Sequence, residues 1–205
     1  MLKVCGINNR ENLLKVLALE PEFMGFIFFE KSARNCEIAA NYIQQINFGK
    51  TKKVGVFVNE PLEKLLQIHD AFGLDYVQLH GNESAEYCER ILMRGINYIK
   101  VFSIDESFLF EQIKAYQNAA FYLFDTKGDL PGGNGYTFDW NILSKYHGST
   151  RFLLSGGISP EHSLIDLQHI HPACIGLDIN SKFEVSPGIK DIEKIKHFKR
   201  NYELN

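Results

Sequence analysis

Eight short apolar runs, each followed by a stretch with helical spacing, constrain this chain more than any other feature. They centre near Val4, Ile27, Val56, Gln78, Lys100, Leu123, Leu153 and Leu177, mostly a little over twenty residues apart. Short runs enriched in β-branched and aromatic side chains, bounded by turn residues, read as strands buried on both faces. Alternation of such strands with helices implies parallel pairing. Eight of them at this spacing imply an α/β fold of the closed (β/α)8 type, a TIM barrel. At 205 residues and 23.5 kDa the chain suits one such domain spanning 1–205, with little decoration. A doubly wound sheet is the alternative. It usually has fewer strands, and the first strand-to-helix turn, CGINNR, carries no GxGxxG.

The helices are expected from caps and stripes. Asn8 and Asn9 precede Leu13, Leu14, Val16 and Leu17, and Asn35 is placed to cap a helix bearing Ile38, Ala39, Tyr42, Ile43 and Ile46. Pro61 opens the third helix and Gly73 stops it, while Asn82 and Gly95 bracket the fourth. Residues 108–116 supply the fifth, Asp139 caps a short sixth at Trp140, Ser159 and Pro160 start the seventh, and Ile192, Ile195 and Phe198 mark the last. Isolated apolar residues such as Phe110 and Phe183 can be exposed without implying an interface.

A net charge of -3 gives no electrostatic reason to expect nucleic acid or an anionic membrane as partner. The start, MLKVCGINNRENLLKV, lacks a basic n-region with a continuous apolar h-region, and no run approaches membrane-spanning length, so a cytoplasmic location is expected. Four cysteines, Cys5, Cys36, Cys88 and Cys174, stand far apart with no CxxC, which suits free thiols rather than a zinc knuckle or redox pair. Oligomeric state, monomer or homodimer, is not readable from the sequence.

In a barrel of this kind the chemistry lies at the C-terminal ends of the strands. Asp125 ends the apolar run Phe121, Tyr122, Leu123, Phe124 and is followed by a loop with Pro131, Gly132, Gly133 and Gly135, able to wrap a small ligand. Cys5 ends the first strand. Alone it reads as a small buried hydrophobe, but in the barrel mouth a thiol and a carboxyl on different walls can serve as base and acid for a proton transfer. A thiol with pKa ~8.5 is only a few per cent thiolate at neutral pH, so it needs a neighbouring cation, which Arg34 is placed to supply. Arg34 reads either as a solvated loop residue or as a fork for a substrate carboxylate. His80 joins the mouth, with no second histidine spaced to form a metal pair, and Asp178 can accept from a sugar hydroxyl or from loop N–H groups. SGGISP and LDINS follow strands seven and eight, where barrels often build a phosphate site, which makes Gly156, Gly157, Asn180 and Ser181 the phosphate candidates.

Together these motifs resemble the phosphoribosylanthranilate isomerase family of tryptophan biosynthesis nearly end to end. KVCGI is similar to its opening strand, GFIFFEKSARN to its second strand and arginine loop, and VGVFVNE, VQLHGNES and IKVFSI to strands three to five. FDTKGDLPGGNGYTFDW, LLSGGISPE and GLDINSKFEVSPGIKD are similar to the last three. The resemblance implies Cys5 as general base, Asp125 as general acid, Arg34 at the anthranilate carboxylate, and Gly156, Gly157, Asn180 and Ser181 at the phosphate of a phosphosugar substrate. It implies an Amadori rearrangement that needs neither metal nor organic cofactor, because the substrate's imine is the electron sink. Two departures stand out. Tyr136 occupies the place of a usual lysine and Ala33 that of a usual proline, changes that lower the expected affinity without touching acid or base. The related isomerase of histidine synthesis uses an aspartate on strand one, which Cys5 disfavours. A silent sugar-phosphate binder would have no use for an acid and base on different walls.

Overall fold

The protein is described here by a computed structural model covering residues 1–126, 140–162, 167 and 170–203. Eight strands form a closed parallel barrel in sequence order: β1 (Leu2–Cys5), β2 (Phe23–Phe28), β3 (Lys52–Phe57), β4 (Tyr76–Leu79), β5 (Asn97–Ile104), β6 (Phe121–Thr126), β7 (Phe152–Leu154) and β8 (Cys174–Ile179). Closure is direct, since β1 pairs with both β2 and β8. The expected fold holds.

Side chains alternate across each strand, and this divides the core in two. Phe23, Val54, Ile99, Val101, Leu123 and Leu153 pack in one cluster. Their strand neighbours, such as Met24, Tyr98, Tyr122, Phe124 and Phe152, belong to the larger second cluster that the helices cover. The first cluster is the barrel interior, the second the layer between barrel and helices. Apolar residues on both faces explain why the strands read as unbroken runs.

Five α-helices are described: α1 (Arg10–Leu17), α2 (Ala40–Gln44), α3 (Leu62–Phe72), α4 (Ala85–Leu92) and α5 (Ile192–Glu203). Asn9 caps α1 by accepting from Asn12 N at 2.9 Å, and Gly73 closes α3 with φ 56°. Other expectations need correction. Asn35 caps nothing: its side chain accepts from Phe29 N at 3.1 Å and its backbone bridges Ile27, so this segment extends the edge of β2 and α2 shrinks to five residues. A short amide side chain that finds a local backbone partner competes with helix formation in this way. Ser84, not Asn82, caps α4, and Gly95 lies two residues past its C-cap Met93. The segments after β5 and β6 form 3₁₀ turns, Phe110–Tyr116 and Trp140–Lys145, the tighter form favoured by short connections. Asp139, the glycine-rich loop and most of the helix expected after Pro160 lie outside the described residues.

Behind β8 the chain makes an addition not foreseen in the sequence. A 3₁₀ turn (Ser181–Phe183) leads into a small antiparallel pair, β9 (Glu184–Ser186) and β10 (Ile189–Lys190). Phe183 is fully buried against Phe198 of α5, ring centroids 5.0 Å apart, and so is a core residue rather than an exposed one. It anchors the segment that carries Glu184 and Lys190.

Candidate active site

Lys3 and Cys5 stand two residues apart on β1 and share one face of the strand. Lys3 is fully buried, and its Nζ donates to Asp178 Oδ1 at 2.8 Å across the β1–β8 pair. Opposite Cys5, β2 carries Gly25. A Cβ built there would meet Cys5 Sγ at 2.7 Å and Lys3 Nζ at 3.2 Å, so only a glycine leaves room for thiol and ammonium to meet. Burial pushes the Cys5 thiol above its ordinary value; the Lys3 ammonium opposes this by charge and hydrogen bonding, and Lys190 more weakly. Burial works against the Lys3 charge too, but Asp178 and Cys5 outweigh it and hold Lys3 above its usual value. Asp178, sealed in the same place, is raised by burial against the pull of Lys3. Its carboxylate thus has a partner that the sequence reading did not name, the buried Lys3.

Arg34, after β2, is not a solvated loop residue. Its Nε lies 3.0 Å from both carboxylate oxygens of Glu184 and its second nitrogen 2.8 Å from Oε2, a bidentate pair. Glu184 also accepts from Lys190 Nζ at 2.6 Å and Gly188 N at 3.0 Å. Lys190 in turn donates to Asn180 Oδ1 at 2.7 Å. An ammonium can only donate, so the amide oxygen of Asn180 faces Lys190 and its Nδ2 is left to donate elsewhere. All of this converges on Gly6, whose φ of 79° suits glycine; a Cβ there would meet Asn180 Oδ1 at 2.8 Å and Arg34 Cδ at 3.0 Å. Two cations around one carboxylate leave this corner of the mouth net positive. Arg34 therefore spends its fork on Glu184, and the cation closest in influence on Cys5 is Lys3.

On the far side, Asp125 is 6% exposed near the end of β6, and Asp125 Oδ2 lies 3.5 Å from His80 Nε2 after β4. That His80 nitrogen makes no hydrogen bond among the described residues. Beside His80 opens a cavity of about 520 Å³, walled by Glu83, Lys100, Ser103, Phe108 and Tyr116. After β7, Gly156 and Gly157 take φ of 86° and 70°, a backbone region that favours glycine. Asn180 and Ser181 follow β8 at the same rim. Every expected site residue thus stands at the C-terminal mouth, Cys5 on β1 and Asp125 on β6, with β7 and β8 between. Lys3, Gly25, Glu184 and Lys190 were not anticipated. Lys3 carried a signal, a charged residue on the strand face that Cys5 occupies; Glu184 and Lys190 carried none. Among the described residues no group of three or more His, Cys, Asp or Glu is placed to hold a metal ion.

Comparison with known proteins gives a consistent answer. Residues 2–201 match the family model for N-(5'phosphoribosyl)anthranilate (PRA) isomerase. An N-(5'-phosphoribosyl)anthranilate isomerase of Parabacteroides distasonis is 43% identical over 201 residues, covering 97% of this chain and 91% of its own length. The crystal structure of phosphoribosyl anthranilate isomerase from Thermotoga maritima superposes with a TM-score of 0.85 at 34% identity, covering 98% of this chain and 97% of that one. A phosphoribosyl anthranilate isomerase solved in complex with reduced 1-(o-carboxyphenylamino)-1-deoxyribulose 5-phosphate matches with a TM-score of 0.82 at 31% identity, covering 98% of this chain and 96% of that one. With the barrel, the order of the mouth residues and a full-length match in agreement, the chain belongs to the N-(5'-phosphoribosyl)anthranilate isomerase family.

Proposed function

We propose that this barrel, acting as one domain, converts N-(5-phosphoribosyl)anthranilate to 1-(2-carboxyphenylamino)-1-deoxyribulose 5-phosphate, the isomerase step of tryptophan biosynthesis, with Cys5 as general base and Asp125 as general acid. The observation that carries this reading is the placement of a thiol on β1 and a carboxyl on β6 at the same mouth. Asp125 protonates the ribose ring oxygen, and the ring opens to a protonated Schiff base. Cys5 removes the C2 proton, and the C–H electron pair flows into the imine to give an enolamine. Protonation at C1 with loss of the C2 hydroxyl proton yields the ketone. The imine is the electron sink, so the reaction asks for no cofactor.

Arg34 meets the anthranilate carboxylate from the positive corner that Glu184 and Lys190 help to form. The phosphate lies against Gly156 and Gly157, with Asn180 Nδ2 and Ser181 as further donors. His80 and Asp178 line the space between, close to the acid and the base respectively. The partner is this small phosphosugar alone, with no nucleic acid or membrane, and the protein acts as a monomer or homodimer. Its place is the cytoplasm: four free cysteines fit a reducing compartment, and among the described residues no helix is long and apolar enough to cross a membrane. Turnover of this ribotide measured beside the aminoimidazole carboxamide ribotide of histidine synthesis tests the assignment. Preference for the anthranilate substrate is expected, and preference for the other would overturn it.

A further inference from the structure

We infer that Lys3 is the positioning residue that makes Cys5 usable as a base, its buried ammonium stabilising the thiolate through the gap left by Gly25 while Asp178 tethers it from β8. This rests on the assignment of Cys5 as the base. A lysine with no exposure, opposite Phe23 in the β1–β2 register, is expensive to bury, and pairing it with Asp178 does little for stability compared with an apolar pair of the same volume. What the arrangement does accomplish is local and chemical. The ammonium cannot retreat to solvent, its counter-ion comes from the neighbouring strand, and both Nζ and Sγ lie against Gly25 where a Cβ would crowd them.

Among the described residues, the charged groups around Cys5 have assigned partners. From β1 comes Lys3, held by Asp178 of β8. From β10 comes Lys190, held by Glu184 of β9 and Asn180. Arg34, after β2, is held by the same Glu184. Of these, Lys3 acts most strongly on the thiol, and Asp178 acts against the thiolate. The buried thiol is neutral in most molecules at neutral pH, and the thiolate minority does the work. In that minority the sulfur lone pair takes the C2 proton, an S–H bond forms, and the C–H pair passes into the cationic imine. Lys3 sets how large the minority is without touching substrate.

The test reads the thiolate directly. Cys5 is titrated by its thiolate absorbance near 240 nm, each protein measured against the same protein carrying Cys5→Ala, in the parent, in Lys3→Met and in Lys3→Met with Asp178→Asn. The double variant loses both charges together and so leaves no unpaired carboxylate in the barrel. Lys3→Met is expected to raise the titration midpoint by about one pH unit or more, a tenfold loss of thiolate near neutrality, with kcat falling about tenfold and KM little changed. The double variant should move the same way by less, because Asp178 opposes the thiolate. A midpoint unchanged in both folded variants would overturn the inference. The titration needs no turnover, so a parent inactive on the ribotide would remove the isomerase assignment and leave the Lys3–Cys5 linkage to be judged by absorbance alone.

Discussion

Arg34 and Glu184, 150 residues apart in sequence, are joined through three donor–acceptor contacts of 2.8 to 3.0 Å. The pair fixes the plane of a guanidinium that the family resemblance assigns to the substrate's carboxylate. Arginine alone can keep two nitrogens on Glu184 and still present a donor to a ligand. Arg34→Lys is therefore expected to raise KM by about tenfold while kcat stays within a few-fold, as measured by steady-state kinetics. An unchanged KM would mean that this fork serves the fold and not the ligand.

In the proposed reaction Asp125, buried beside His80 near the end of β6, is the group that gives the proton. Asp125→Asn keeps the size of the group and removes the acid. It should leave binding of a product analogue within about threefold and lower kcat by roughly 10² to 10⁴. Loss of affinity with kcat retained would reassign Asp125 to binding.

Glu184 also ties stability to pH. Burial alone would raise its carboxyl, but Arg34 and Lys190 outweigh that and hold it below the ordinary 4.5. The folded state then binds this proton less tightly than the unfolded chain. The stability it contributes is complete above the ordinary value and drains away as pH falls through the depressed one. Thermal melts between about pH 5 and pH 3 should show a shallower acid loss in Glu184→Gln than in the parent. Equal acid loss in the two would show that Glu184 gains nothing from its cations.

How much of this was legible follows from where each residue finds its partner. The strands were clear because both faces are apolar, as with Tyr122 and Phe124 outside and Leu123 within. The placement of Cys5 and Asp125 at the barrel mouth was legible because each lies at the end of an apolar run, and topology turns strand ends into a ring. Asn35 misled because its side chain bonds the backbone of its own loop at Phe29, a choice that helical spacing cannot reveal. The fifth and sixth helices were overestimated because apolar spacing does not distinguish a few turns of α-helix from a 3₁₀ connection. Glu184 and Lys190 were illegible, because charges in a polar tail look solvated until β9 and β10 fold them back beside Gly6. Phe183 was misplaced for the same reason, its partner Phe198 lying in the last helix.

The central claim is that Cys5 removes the proton in an isomerisation of N-(5-phosphoribosyl)anthranilate. Its most direct test is disappearance of that ribotide with the purified protein, run beside Cys5→Ala. Cys5 fills a small site on β1, so the variant should fold and bind while turnover falls to near silence. Turnover by the parent with that loss in the variant is the predicted result. A folded parent that binds the ribotide without consuming it, or a Cys5→Ala protein that consumes it as fast, would contradict the account.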